Sequence, residues 1–394
     1  MSSPAPAASP GAAPTPAPFT GGRLALLTFV LAMANMMEVL DITIANVSIP
    51  TIAGDLGVSP NQGTWVLTSY TVANAITVPI TGWLAGRLGQ VRVFASAIAL
   101  FTAASACCGL AQSLGMLIAF RIVQGAVAGF MVPLSQALLI NNFPPEKRGT
   151  GLAIWAMTIV VAPIIGPILG GWITDNFHWS WIFLINIPVG VFASIAVWQM
   201  LGDRETPTRK LPVDRIGIAL IVLWVGALQL MLDKGNELDW FNDGFIVALA
   251  CVAAVGFVVF LVWELTDEHP VVDLALFRYR NFRNGVVALS LGFAAFFGTT
   301  ILLPLWLQTQ LDYTPGWAGF ALAPSGVLAV LLSPVVGKTM GKVDPRRYAS
   351  FAFVLFAILS FWRAQFNTSA DFFTIAMPQF LQGAGIAFFF VPLV

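Results

Sequence analysis

The sequence predicts an all-α polytopic membrane protein, from its composition, its apolar runs and the distribution of its basic residues. Of the 394 residues, 58% are hydrophobic and only 10% are charged, whereas soluble proteins have about 25% charged residues. Runs of about 20 apolar residues, the length needed to cross the hydrocarbon of a bilayer, follow one another along the chain. Such a chain cannot cover its surface with polar groups, so the composition excludes a water-soluble protein.

Glycine, proline and charged residues divide the apolar sequence into predicted membrane spans. The first six lie at residues 23–50, 63–85, 92–111, 114–141, 148–174 and 181–201. Two more lie at 215–232 and 244–263, and the last four at 284–310, 315–337, 347–365 and 371–394.

The basic residues test this division, because cytoplasmic loops are enriched in lysine and arginine. With the N-terminus inside, 16 of the 19 basic residues fall in cytoplasmic loops or at cytoplasmic span ends. Lys234 lies clearly in an outer loop, while Arg121 and Arg363 lie within spans. A wrong number of spans would scramble this asymmetry. The sequence therefore predicts a multi-pass protein with a cytoplasmic N-terminus.

The predicted spans divide the chain into five regions. Residues 1–22 are rich in Pro and Ala and lack the basic start and apolar core of a signal peptide, which predicts a disordered cytoplasmic tail. A bundle of six helices is predicted at 23–201. A linker with an inserted helix pair follows at 202–264, a cytoplasmic connector at 265–283, and four helices of a second bundle at 284–394.

Several functional classes are disfavoured by what the sequence lacks. The net charge is zero, so no basic surface indicates a nucleic-acid partner. The three cysteines lie within apolar runs and show neither a disulfide framework nor a metal-binding spacing. No nucleophile–base set or His cluster indicates an enzyme, and no Walker-type G-x-x-x-x-G-K-[ST] indicates an ATP-driven pump. These observations favour a transporter without a cofactor or metal.

Two sequence echoes indicate that the second half of the chain repeats the first. The triplet 124–126 (QGA) in span four matches 382–384 (QGA) in the last span, at an offset of 258. Around the loop after span two, Pro79, Gly82, Arg87 and Arg92 match Pro334, Gly337, Lys342 and Arg347 at an offset of 255. Internal repeats are typical of secondary transporters. Because the last span corresponds to span four, we expect a second bundle of six helices from which two spans are missing.

The first span carries two carboxylates on one face. At about 100° per residue, Asn35, Glu38, Asp41 and Ser48 point the same way along a helix. An ionised carboxylate at the membrane centre costs about 2.5–3.5 kcal/mol on insertion scales. The two acids therefore predict a protonation site facing a cavity. The alternative is that they hold the helix to a neighbour, although Ser, Thr or Asn usually does this.

Arg121 in span four is the natural counter-charge for these acids, because arginine keeps its proton. It shares a helix face with Gln124 and Ser135. In one interpretation Arg121 exchanges partners when an acid takes up a proton. In the other it forms a fixed structural ion pair.

Two longer motifs resemble those of the major facilitator superfamily. The loop 82–92 (GWLAGRLGQVR) has the glycine and arginine framework that this superfamily carries after span two, although Gly86 stands where many members have aspartate. Residues 162–171 (APIIGPILGG) in span five resemble the antiporter motif of drug:proton exporters. With "LDITIANVSIP" (40–50), "HWSWIFLINIPVG" (178–190) and the inserted pair, the chain resembles the 14-span drug:proton antiporters, and within them the EmrB-type multidrug exporters.

This resemblance implies the major facilitator fold, two six-helix bundles with an inserted helix pair, here lacking the last two spans. It implies a proton-coupled antiporter, not an enzyme, that exports hydrophobic or amphipathic drugs across the bacterial inner membrane by alternating access. A periplasmic adaptor and an outer-membrane channel are the implied partners, beside substrates, protons and membrane lipid. The sequence leaves an alternative open, an exporter or importer of one defined metabolite on the same fold.

The residues themselves, together with the resemblance, give individual positions expected roles. The proton-coupling residues are Asp41, Glu38 and Arg121, with Asp41 favoured as the proton carrier. The conformational gate loop contains Gly82, Arg87, Gly89 and Arg92. The antiporter motif Pro163, Gly166, Pro167, Gly170 and Gly171 is expected to form a leak-tight contact between the two halves. The candidates for a substrate pocket are Asn35, Met37, Gln124, Trp155, Phe293, Phe296 and Phe297.

Overall fold

The computed structural model describes residues 18–209, 212–313, 315–339 and 342–393. Every regular element in these ranges is helical, which confirms the all-α prediction. The first ten helices are α1 (Gly21–Asp55), α2 (Pro60–Gly63), α3 (Trp65–Thr77), α4 (Thr81–Leu88), α5 (Gln90–Gly109), α6 (Leu114–Ala128), α7 (Met131–Asn142), α8 (Arg148–Asn176), α9 (Trp181–Leu184) and α10 (Asn186–Leu201). Six more follow: α11 (Arg215–Lys234), α12 (Gly244–Thr266), α13 (Arg280–Gln310), α14 (Pro315–Thr339), α15 (Pro345–Arg363) and α16 (Phe372–Leu393).

The helices fall in the segments predicted as membrane spans. Within the described ranges, nine helical stretches are long and apolar enough to cross a membrane. The predicted spans 63–85, 148–174 and 347–365 are also helical. Helix α13 begins four residues before the predicted boundary at 284. Of the predicted tail, residues 1–17 lie outside the described part of the chain.

Spans two and four are each broken, and the two breaks meet. Helix α3 ends before Pro79 because proline lacks an N–H and its ring clashes with the preceding turn. Helices α6 and α7 separate at Gly129, where a Cβ would collide with the Thr77 side chain. The Thr81 hydroxyl donates a hydrogen bond to the Gly129 carbonyl at 3.4 Å. The absent side chain at Gly129 thus lets the two bent spans approach each other.

Helix α1 is the central element of the first half. It packs along α8 on one side and against α10 on another. Of its most apolar 18-residue window, 56% is buried. Leu27, Leu31 and Met37 of this helix join a large apolar core that includes Phe94 and Phe101 of α5.

In the second half, α14 packs along α16 and also along α8 of the first half. Helix α8 therefore contacts α1 within its own half and α14 across the molecule. Helix α13 is much more open, since only 11% of its apolar window is buried.

The internal repeat is visible as the same helix contact in both halves. A Cβ on Gly125 of α6 would collide with the backbone carbonyl of Tyr70 in α3, and a Cβ on Gly383 of α16 would collide with that of Ser325 in α14. The two glycines are 258 positions apart and their two partners 255, the offsets found in the sequence. The structure therefore confirms the repeat.

The helix pair α11–α12 packs on the first half through α3. At one end, Thr68 donates a hydrogen bond to Asp233 at 2.6 Å, and Lys234 donates to Thr64 at 3.1 Å. At the other end, the Trp83 indole donates to the Pro212 carbonyl at 3.0 Å. These contacts tie both ends of the pair to span two.

Candidate functional site

Asp41 lies at the centre of a buried polar network among membrane helices. Arg121 Nη1 lies 2.5 Å from Asp41 Oδ2, and both side chains are almost fully buried. The other oxygen, Oδ1, accepts hydrogen bonds from Gln124 Nε2 at 3.1 Å and Asn186 Nδ2 at 2.9 Å. One carboxylate of α1 thereby joins α6 and α10.

Arg121 is held from several sides. Its Nε donates to the Val66 carbonyl at 3.0 Å and its Nη1 to Gln124 Oε1 at 2.8 Å. The guanidinium carbon lies 4.1 Å from the centre of the Tyr70 ring, which adds a cation–π contact. Its Nη2 has no hydrogen-bond partner among the described residues. The predicted pairing of Arg121 with an acid of span one is thus present, and that acid is Asp41.

Glu38 has a different environment from Asp41, one helical turn away. Its Oε1 accepts a hydrogen bond from Asn74 Nδ2 of α3 at 3.1 Å. Its Oε2 is buried and has no partner among the described residues. The two acids therefore share a face as predicted, but only Asp41 is paired with the arginine.

The predicted pocket residues of the first half lie in the protein core. Asn35 donates to Thr158 of α8 at 2.6 Å, and the Trp155 indole donates to Ser135 at 2.9 Å. Met37 and Trp155 are 3% and 1% exposed, and Gln124 belongs to the Asp41 network. These side chains join helices in this conformation.

The predicted pocket aromatics of α13 lie together. Phe293 and Phe297 stack with ring centres 5.8 Å apart, and Phe296 packs edge-on against Phe390 of α16 at 5.4 Å. Phe296 also borders a small enclosed void between the two halves. These three pocket candidates thus belong to one aromatic cluster between α13 and α16.

The gate loop is bound by the carboxylate of Glu205, which was not among the predicted site residues. Glu205, in the linker after α10, accepts hydrogen bonds from the backbone N–H groups of Val91 at 3.0 Å and Arg92 at 2.8 Å. Gly89 has φ of +100°, and a Cβ there would collide with the Glu205 carboxylate. Arg87 lies over the Trp83 ring at 5.5 Å. An acid from the linker therefore caps α5.

Gly82 is not in a close contact, because a Cβ at this position would meet no other atom within 4 Å. The Gly86 carbonyl accepts a hydrogen bond from the Arg209 backbone N–H at 2.9 Å. The linker thus contacts the loop at Gly86, the position where the resemblance leads one to expect aspartate.

The antiporter-motif glycines pack on α1 rather than on the second half. A Cβ on Gly166 would collide with the Thr43 side chain, and one on Gly170 would lie 3.1 Å from the Ile44 carbonyl. These two glycines therefore do not make the expected leak-tight contact between the halves. Without side chains, they allow α8 to pack closely against α1 within the first half. Pro163 does face the second half, across the small void beside Phe296.

Two further motif positions contribute less. A Cβ on Gly171 would meet nothing within 4 Å. The side chain of Pro167 lies outside the described part of the structure.

The sequence also gave no role to Arg363, at the end of α15. Its Nη2 donates to the side-chain oxygens of Gln379, at 3.2 Å, and Gln382, both on α16. Asn74 and Asn186 were missed as well. For Arg363, Asn74 and Asn186 alike, the signal available in the sequence was a polar side chain inside an apolar span.

Comparison with known proteins identifies the family. The sequence profile described as "Major Facilitator Superfamily" matches residues 26–394. The chain belongs to this superfamily. The crystal structure of a point mutant of the peptide transporter POT in complex with sulfate aligns with this chain at a TM-score of 0.60. The alignment covers 94% of this chain and 82% of that chain, with 16% sequence identity. The major facilitator fold predicted from the sequence is thereby confirmed.

Curated relatives of the same superfamily are much more similar in sequence. "Multidrug export protein EmrB" of Haemophilus influenzae is 54% identical over 377 residues, which are 95% of this chain and 74% of that protein. EmrB of Escherichia coli K12 is 52% identical over the same shares. "Fatty acid resistance protein FarB" of Neisseria gonorrhoeae is 52% identical, again over 95% and 74%. The EmrB-type resemblance is confirmed, and the protein is a multi-pass membrane transporter rather than an enzyme.

Proposed function

We propose that the protein is a proton-coupled antiporter that exports hydrophobic or amphipathic compounds across the bacterial inner membrane by alternating access. The observation that carries the proposal is the ion pair of Asp41 and Arg121, buried between membrane helices. Each buried ion costs several kcal/mol of desolvation free energy. Intramembrane ionisable residues of this kind mark ion pathways and proton relays.

Asp41 is the member of the pair that can change its charge. Arginine does not release its proton in proteins, so the charge of Arg121 is fixed. Once Asp41 is protonated, Arg121 lies buried without an anion. Arg121 Nη2, Glu38 Oε2 and the Tyr70 hydroxyl are buried atoms without partners around this network, and of these only Glu38 Oε2 belongs to a carboxylate, one turn from Asp41 on α1. We therefore assign Glu38 as the second acceptor for Arg121 when Asp41 is protonated.

This exchange of partners would couple protonation to helix movement. Three residues of helix span about 4.5 Å, so Arg121 on α6 would shift by up to that distance along α1. Asp41 would at the same time loosen its hold on Asn186 of α10, while Glu38 engages α6 beside its bond to Asn74 of α3. Two alternative pairings of packed helices are the kind of bistable element that alternating access needs.

The direction of transport follows from competition. An acid facing the outside takes up a proton, and the neutral state then opens inward and releases that proton. The regained carboxylate attracts a cationic or polar group of a substrate, so proton and substrate occupy the site in turn and move in opposite directions. No cofactor is required, because the proton gradient supplies the free energy.

The names of the relatives support a broad, amphipathic substrate range over one defined metabolite. EmrB is named for multidrug export and FarB for fatty acid resistance. We extend the proposal to a periplasmic adaptor and an outer-membrane channel as partners, and to an inner-membrane location with the N-terminus in the cytoplasm. These rest on family resemblance and on the distribution of basic residues.

Efflux of ethidium from proteoliposomes under an imposed pH gradient tests the proposal, using the full-length chain. Asp41→Asn should abolish gradient-driven efflux, because the side chain can no longer take up a proton. Asp55→Asn is the matched control, since Asp55 is the exposed last residue of the same helix, and it should leave efflux unchanged. Full gradient-driven efflux by Asp41→Asn would remove Asp41 from the coupling mechanism.

A further inference from the structure

Two buried carboxyl groups meet where the helix pair α11–α12 joins the rest of the chain. Asp214 is the N-cap residue of α11, and Glu264 lies in the last turn of α12. The two residues are 7% and 3% exposed. A Cβ on Gly217 of α11 would collide with both Asp214 Oδ2 and Glu264 Oε1. The two oxygens therefore converge on one point of the α11 backbone, where a glycine leaves room for them.

The two carboxyl groups differ in their hydrogen bonds. Asp214 Oδ1 accepts from the Gly217 N–H at 2.8 Å, and the Trp263 indole donates to both Asp214 oxygens at 3.1 Å. Glu264 Oε2 accepts from the Val272 N–H at 3.0 Å, but its Oε1 is buried and has no partner among the described residues. Because N–H donors favour the ionised form of a carboxyl group, Asp214 is the better stabilised anion. The unpartnered oxygen, directed at Asp214, belongs to Glu264.

No described cation balances these two acids. No nitrogen of a described lysine, arginine or histidine lies within 4.0 Å of either carboxyl group. The charge that acts on Glu264 besides Asp214 is another acid, Asp267, just after α12. The remaining titratable side chains on neighbouring elements are Arg87 of span two, Arg215 of α11, and Glu268, His269, Asp273 and Arg278 of the connector. Two ionised carboxylates would repel each other here without the hydration that stabilises ions in water, so the pair requires a positive charge.

The acid pair lies where the chain enters and leaves the helix pair. Just before it, the Pro212 carbonyl accepts a hydrogen bond from Trp83 beside the gate loop. Just after it, Val271 of the connector is buried against Phe260 of α12, and Val272 donates to Glu264. Asp214 and Glu264 thus join the linker, which contacts the gate loop, to the connector, which leads to α13.

We propose that Asp214 and Glu264 form a proton-binding site, in which Glu264 Oε1 carries the proton and donates it in a hydrogen bond to Asp214 Oδ2, and that this proton holds the connector against the helix pair. Loss of the proton leaves two adjacent anions, so Glu264 moves away from Asp214 and releases Val272. Mg²⁺ and Ca²⁺ take about six oxygen ligands or more, whereas two carboxyl oxygens suffice for a proton. This site is separate from Asp41, and its proton binding does not depend on the proposed transport.

Infrared spectroscopy of the purified full-length protein in detergent detects the proton directly. A protonated carboxyl group has a C=O stretching band that disappears when the group ionises, and spectra are recorded as the pH is raised from mildly acidic to alkaline. The wild type should lose a band that Glu264→Gln lacks throughout. The matched control is Glu268→Gln, an exposed acid four residues further along the chain, which should keep this band and its pH dependence.

A second variant keeps the test decisive if Glu264→Gln does not fold. In Asp214→Asn the Glu264 band should remain but disappear at lower pH than in the wild type, because the neighbouring negative charge that favours the proton is gone. The inference is overturned if Glu264→Gln and Glu268→Gln have the same carboxyl bands, or if Asp214→Asn leaves the pH of the transition unchanged. It is also overturned if a metal chelator destabilises the wild type but not Glu264→Gln, since a metal ion would then occupy the site.

Cleavage by trypsin tests whether the proton holds the connector in place. Arg278 and Arg280, at the end of the connector, are exposed, and release of Val272 should make the chain around them easier to cleave. The wild type and Glu268→Gln should be cleaved there several-fold faster at alkaline than at mildly acidic pH, relative to Glu264→Gln at the same pH. Glu264→Gln retains an N–H donor toward Asp214 but cannot ionise, so it keeps the connector bound. Equal pH dependence in all three proteins would contradict the proposed role of the proton.

Discussion

Each half of the molecule holds an arginine against buried glutamines, but the two clusters differ in how they balance its charge. Arg121 is paired with Asp41 at 2.5 Å, and both side chains are almost completely buried. Arg363 contacts Gln379 and Gln382 beside an open cavity, with no carboxylate among its described neighbours. The comparison shows that the repeat preserves helix packing while charge has diverged.

Packing differs between the halves in the same sense. The apolar window of α1 is 56% buried, and that of its counterpart α13 is 11% buried. Helix α1 lies between α8 and α10, which exclude space around Asp41. Helix α13 leaves a cavity beside α15. The Asp41–Arg121 ion pair thus lies where packing excludes water.

The largest effect is expected from removing each arginine in turn. Arg121→Met leaves Asp41 buried without a cation, which costs about 3–5 kcal/mol of stability. Arg363→Met leaves only neutral amides unpaired, at about 1–3 kcal/mol. Thermal unfolding in detergent should therefore show the greater fall in Tm for Arg121→Met.

A double variant checks the reason for that difference. Adding Asp41→Asn to Arg121→Met removes the uncompensated charge and should restore part of the lost Tm. Two results would contradict the proposed difference between the clusters. Arg363→Met could lower the Tm as much as Arg121→Met does, or the double variant could be no more stable than Arg121→Met alone.

A second prediction concerns what the halves share. Gly125→Ala and Gly383→Ala should each cost about 1–3 kcal/mol, as overpacking does, because the new Cβ meets a backbone carbonyl of the neighbouring helix. Gly115→Ala in α6 and Gly298→Ala in α13 are controls, since a Cβ there meets nothing within 4 Å. Unfolding curves that show a cost in only one half would mean that the repeated contact is not equally tight.

The smallest effects are expected where the halves start their third spans. Glu205 caps α5 from the linker, whereas Asp344 caps α15 from within its own loop, accepting from the Arg346 N–H at 2.9 Å. Replacing either acid by alanine should cost about 1 kcal/mol, as for other helix caps.

Only one of these caps joins separate segments, so turnover should distinguish them. Glu205→Ala frees the linker from the gate loop and should change the rate of ethidium efflux. Asp344→Ala alters one helix end and should leave that rate near the wild-type value. Equal changes in the two variants would show that the linker has no special part in gating.

The helices were predictable because membrane spans are recognised from local hydrophobicity and charge. The repeat was predictable because matching motifs recur at nearly constant sequence offsets. The pairing of Arg121 with span one was also predictable, since a fixed cation in an apolar span needs an anion. Which acid it chooses was not, because Glu38 and Asp41 share a face and differ only in their contacts to Asn74 and Asn186.

Other contacts depend on tertiary packing that no local pattern encodes. Glu205 contacts the gate loop across more than a hundred residues of sequence, where a Cβ on Gly89 would collide with its carboxylate. The motif glycines Gly166 and Gly170 predict a close helix contact but not its partner, which is α1. The contacts of Arg363 with Gln379 and Gln382 likewise depend on how α16 packs beside α15.

Proton release on substrate binding tests the central claim, that Asp41 carries the proton, most directly. Ethidium is added to the purified full-length protein in weakly buffered detergent solution, at a pH low enough to protonate Asp41, and a pH indicator follows the released protons. The wild type and Arg363→Gln should release protons, and Asp41→Asn should bind ethidium without releasing any. Release that persists in Asp41→Asn and disappears in Glu38→Gln would contradict the claim and assign the proton to Glu38.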